Sequence, residues 1–87
     1  MHLPRAHRPD GSAVGRLAGT GVGSTVRLAG LDAIDPPQRR RLAEFGLRPG
    51  AAVIVLARTA GGGRLVGLGT SRIALDAGTA QRLAVEA

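Results

Sequence analysis

The sequence predicts a mainly β fold: a small β-barrel of about five short strands, with a short helix between the first and second and a short helical turn near the C-terminus. Three observations lead there. From Ser24 onward, short aliphatic runs are separated by glycine- and proline-containing turns. The one helix signalled after the first strand is short, ending at Gly46. The chain has 87 residues, and closing a sheet on itself leaves few free edges in so short a domain.

The first strand is expected over Thr25 to Leu31, where Val26 and Leu28 alternate with Arg27 and point toward a core. Asp35-Pro36-Pro37-Gln38 then reads as a helix start. Asp35 is placed to accept from orphan amides, Pro36 suits the first helical position, and Gln38 stands where a capping-box partner would. The helix is expected to stop at Gly46, with Leu42 and Phe45 on one face. Glu44 lies within reach of Arg40 or Arg41.

Pro49-Gly50 fits the central positions of a type II turn, Pro presetting φ and Gly supplying the positive φ. The chain then enters its strongest strand, Ala51 to Thr59, where the run Val53-Ile54-Val55-Leu56 implies cover on both faces. Gly61-Gly62-Gly63 turns it back into Arg64 to Gly69, where Gly67 and Gly69 point to a bend or bulge. Arg72 to Leu75 is a further strand, Asp76 caps a helical turn from Ala77 to Leu83, and Ala84 to Glu86 adds a last strand.

Residues 1–23 read differently. Five glycines, Pro4 and Pro9 lie among scattered charges, so this stretch is expected to be a flexible tail and residues 24–87 the folded domain. His2, His7 and Asp10 fall in that tail, which offers no shape to hold a metal ion, so no metal site and no cofactor is expected.

Composition excludes several chemistries. All 12 basic residues are Arg, and without Lys there is no phosphate-binding P-loop, Schiff base or lysine base. Without Cys there is no thiolate nucleophile, zinc ribbon, iron–sulfur cluster or disulfide. Asp35 and Asp76 are accounted for as caps, and the serines of the folded part have no histidine to activate them, so no enzymatic role is expected. The longest apolar run, Ala51 to Ala57, is far short of the ~20 residues that cross a bilayer. The start lacks the apolar core of a secretion signal, and a cytoplasmic setting is expected.

The formal net charge of +6 divides as +2 in residues 1–23 and +4 in residues 24–87. It would attract nucleic acid, yet Phe45 is the only aromatic residue and offers no platform for stacking bases. Nonspecific phosphate contact therefore stands as the alternative to a protein-binding surface. That surface is expected around Arg39, Arg41, Leu42, Phe45, Leu47, Arg48, Pro49 and Gly50, which combine apolar anchors with guanidinium groups. Leu42, Phe45 and Leu47 have a second reading as core residues.

The segment RRRLAEFGLRPG, the strand AAVIVLAR, the glycine hairpin, RLVGLGTSRIAL and the terminal AQRLAVE together resemble the FeoA family over residues 24–86. One departure is Asp76, where family members commonly carry Arg. The resemblance implies an SH3-like barrel and a non-enzymatic accessory or regulatory protein of ferrous iron, or more broadly transition-metal, uptake. It also implies binding to the cytoplasmic part of a FeoB-type membrane transporter, without insertion into the membrane. The same barrel occurs as the C-terminal module of iron- and manganese-dependent repressors, so a metal-regulator-type module is the alternative on that side.

Overall fold

A computed structural model describes residues 14–86. Six strands form one sheet: β1 (Val14–Arg16), β2 (Thr25–Gly30), β3 (Ala52–Arg58), β4 (Arg64–Leu68), β5 (Ser71–Leu75) and β6 (Ala84–Glu86). Helix α1 (Pro36–Glu44) joins β2 to β3, and α2 (Ala77–Arg82) joins β5 to β6. The strand order is β1-β6-β2-β3-β4-β5 and every pairing is antiparallel.

The fold is mainly β, as expected, with one more strand and without closure by strands. β1 and β5 form the two edges and do not pair. The helices span the open side instead. α1 lines a groove with β5, Gln38 on α1 bonds to Thr79 on α2, and α2 packs against β1 and the turn after it. Covering an open seam with helices removes the same edge hazard that strand closure would.

Alternation in the sequence sets the inward faces. Val26 and Leu28 of β2, Val53 and Val55 of β3, Val66 of β4, Leu75 of β5 and Val85 of β6 are buried. Leu31, Ile34, Leu42, Leu47, Ala80 and Leu83 complete the core from the helices and connections. The outward face of β3 departs from the expectation of double cover: Ile54 is half-buried and Leu56 is 36% exposed. A single sheet has one inside, and no second layer lies over that face among the described residues. Register shifts fall between Val55 and Ala57 of β3 and between Leu28 and Gly30 of β2 rather than at the glycines of β4.

Regular structure begins ahead of residue 23, within the stretch expected as a tail. β1 pairs with β6 through Val14, Gly15 and Arg16, and Leu17 in the following 3-10 turn is 1% exposed. Its amide donates to Leu83 O at 2.9 Å. Arg64 Nη2 donates to Ala18 O at 2.7 Å, while its Nη1 reaches Gly62 O and Gly63 O, so one guanidinium fastens this segment to the β3–β4 turn. Burial of Leu17 offsets the entropy of ordering a glycine-rich stretch. His2, His7 and Asp10 lie outside the described residues.

Candidate functional site

Helix α1 begins without the cap expected for it. Asp35 has extended dihedrals but its side chain accepts no cap hydrogen bond. Pro36 and Pro37 occupy the first two helical positions and carry no amide hydrogen, so few orphan donors remain for a cap to satisfy. Asp35 O accepts from Arg39 N at 2.9 Å. Gln38 does not act as a capping-box partner; its Nε2 donates to Thr79 Oγ1 at 3.0 Å.

The C-terminal end is fixed more firmly. Gly46 N–H donates to Ala43 O and Leu47 N–H to Leu42 O, both at 3.0 Å, the paired bonds of a Schellman motif. Gly46 has φ +95, and a Cβ there would stand 2.9 Å from Leu68 Cδ2. Leu42 and Leu47, joined by the second of these bonds, are both buried in the core.

Arg48-Pro49-Gly50-Ala51 forms the expected turn. Ala51 N–H donates to Arg48 O at 3.0 Å and Gly50 has φ +92. Gly50 N–H donates to Leu28 O at 2.7 Å, and Arg27 Nη1 donates to Gly50 O at 2.9 Å. Helix and turn are thereby clamped to β2 as one ledge.

The ledge has a groove on each side. The first, about 340 Å³, lies between α1 and the end of β2, with Arg39, Leu47, Arg48 and Pro49 in its lining beside Leu31, Asp32 and Ala43. The second, about 270 Å³, lies between α1 and β5, with Arg41, Leu42 and Phe45 opposite Ile73 to Asp76. Gly50 lines neither. The eight residues expected to form one surface thus divide into two grooves and a turn. Residues two apart on a helix lie about 200° apart, which sends Arg39 and Arg41 to opposite sides.

Phe45 projects at the helix end with 57% of its surface exposed, whereas Leu42 at 7% and Leu47 at 1% belong to the core. Of the two readings of Leu42 and Leu47, burial follows the core one; both turn inward beside the Schellman motif. Glu44 makes no ion pair with Arg40 or Arg41, and Arg39, Arg40 and Arg41 have no side-chain hydrogen bond or ion pair among the described residues. Arg39 Nε is in addition screened from solvent.

Sequence reasoning missed the wall contributed by Ala29 to Asp32 and the Thr79 contact, since both depend on tertiary placement. Asp76 does cap α2, its Oδ1 accepting from Thr79 N–H at 2.7 Å. Its carboxyl is held below the ordinary value near 3.8 by hydrogen bonds from the Thr79 side chain and backbone, with a smaller contribution from Arg82, against a small opposing effect of burial. Among the described residues no group of three or more His, Cys, Asp or Glu side chains stands close enough to hold a metal ion, and no helix is long and apolar enough to cross a membrane.

The FeoA domain family model matches residues 15–87. The chain belongs to the FeoA domain family. Among solved structures, this FeoA-family chain is similar to an iron uptake regulatory protein (FeoA) at 30% identity and a TM-score of 0.69, covering 85% of this chain and 97% of that one. It shares its fold with a FeoA-like protein from Clostridium acetobutylicum at 18% identity and a TM-score of 0.69, covering 83% and 84%. A manganese-dependent transcriptional repressor is similar at 26% identity and a TM-score of 0.73 over 88% of this chain, which spans 45% of the repressor's length. Comparison with curated proteins gives no match. FeoA family membership implies a role in ferrous iron transport, and the fold is the SH3-like one expected.

Proposed function

We propose that this chain is a non-enzymatic cytoplasmic accessory or regulatory protein of ferrous iron uptake, and that it docks on the cytoplasmic part of a FeoB-type transporter through the ledge from Arg39 to Gly50. The observation that carries the reading is the exposure of Phe45, at 57%, on a helix end held rigid by a Schellman motif and by the turn bonded to Leu28. A large apolar side chain on a fixed element loses little freedom when it is buried by a partner. Unpaired Arg40 and Arg41 beside it supply the guanidinium groups that are enriched at interfaces. Family membership supplies the transport context.

Titration of the full chain with the cytoplasmic domain of a FeoB-type transporter, followed by calorimetry, tests the proposal. Saturable one-to-one binding that Phe45→Ala weakens supports it. Absence of heat at several hundred micromolar removes it.

A further inference from the structure

The two grooves beside α1 differ in how their charged groups are satisfied. In the second, Asp76 is engaged by Thr79 and Arg41 is exposed to water. In the first, Arg39 is half-buried and its Nε is screened from solvent with no acceptor among the described residues. Its Nη atoms make no bond among the described residues and, unlike Nε, are not screened, so they are the donors a partner can reach. Arg48 stands across the groove, its Nε committed to Ala43 O at 3.2 Å and no bond made by its Nη atoms among the described residues. The lining also holds Leu31, Ala43, Leu47 and Pro49, of which Ala43 is half-buried and Pro49 exposed.

We propose that this first groove binds a carboxylate: an Asp or Glu side chain of the partner, flanked by an aliphatic residue, enters it during docking. Arg39 meets the carboxylate with the fork of its two Nη atoms, Arg48 meets it through Nη, and the aliphatic neighbour packs on Ala43 and Pro49. The inference deepens the docking reading and rests on it for the partner.

Two features favour a carboxylate over a phosphate. Apolar lining from Ala43 and Pro49 beside the guanidiniums matches the methylene stem of an acidic side chain. Asp32 on the wall makes no ion pair with either arginine, and its charge opposes a phosphate dianion more strongly than a carboxylate monoanion. A planar, bidentate match is what a guanidinium offers and an ammonium does not.

The test uses the full chain and the transporter's cytoplasmic domain. Arg39→Lys keeps the charge and loses the fork, so it is expected to weaken binding about tenfold, as is Arg39→Gln. Arg58→Gln, on β3 and outside the ledge, removes the same charge and is expected to change affinity less than about twofold. In wild-type protein, the Arg39 Nε–Hε resonance is expected to shift as the domain is added, and inorganic phosphate at equal ionic strength is expected not to displace the domain.

Wild-type affinity in Arg39→Lys overturns the carboxylate site while leaving docking intact. Equal losses in Arg39→Gln and Arg58→Gln show net charge to be the cause and overturn it, as does displacement by phosphate. If wild-type protein fails to bind the domain at all, the docking reading falls and the carboxylate site falls with it.

Discussion

Gln38 Nε2 donates a 3.0 Å hydrogen bond to Thr79 Oγ1 across 41 residues of sequence. Thr79 is 3% exposed, and its own amide donates to Asp76 Oδ1 at 2.7 Å. The bond ties α1 to the start of α2 over the side where β1 and β5 fail to meet. Position of the ledge is thus coupled to the cap of the second helix.

Gln38→Ala removes this tie and is expected to cost about 1 kcal/mol. Thr79→Val is expected to cost more, because it strands the Gln38 amide and removes the Thr79 hydroxyl from Asp76. Urea midpoints measure both. Two midpoints equal to wild type would show that α1 is positioned by its buried leucines alone.

Asp76 gives the stability a pH dependence of defined sign. Its carboxyl titrates lower in the folded chain than in the unfolded one, with the Thr79 side-chain hydrogen bond as the largest cause. The unfolded chain therefore takes up the proton first, and the stabilisation present above the ordinary value near 3.8 is lost as pH falls through the folded value. Melting temperatures are expected to fall below that pH, with a shallower fall for Asp76→Asn, which keeps an acceptor without the charge. Identical profiles for the two proteins would contradict the assignment.

Gly46 and Gly50 separate two costs. Both have positive φ, so Ala at either site is strained by about 1–2 kcal/mol. Only at Gly46 would the Cβ also crowd a neighbour, at 2.9 Å from Leu68 Cδ2, while nothing lies within 4 Å at Gly50. Gly46→Ala is therefore expected to destabilise more than Gly50→Ala, as read from denaturation midpoints.

Phe45→Ala is expected to leave stability within about 0.5 kcal/mol of wild type, as for an exposed side chain. Leu47→Ala and Leu17→Ala are expected to cost about 2–5 kcal/mol each. Comparable losses at Phe45 and Leu47 would place Phe45 in the core.

Much of the order was legible in the residues. Alternation placed Val26 and Leu28 inward, the glycine after Glu44 and Phe45 marked the helix end, and Pro49-Gly50 announced its turn, because each signal is local. β1 was not legible: a single Val followed by Gly and Arg is ordered by pairing with β6, at the far end of the chain, and by Leu17 entering a core that other elements build. Arg64 showed no sequence sign of its reach to Ala18. The site was legible as a segment but not as a shape. Helical spacing alone was enough to part Arg39 from Arg41, whereas the inward turn of Leu42 and Leu47 and the wall at Asp32 required the tertiary fold.

Amide-signal mapping of the labelled chain during addition of the transporter's cytoplasmic domain tests the central claim most directly. The account predicts perturbations concentrated over residues 36–50 and on the walls that face them, residues 29–32 and β5. Perturbations concentrated instead on the outward face of β3 around Ile54 and Leu56, with residues 36–50 unmoved, would contradict it.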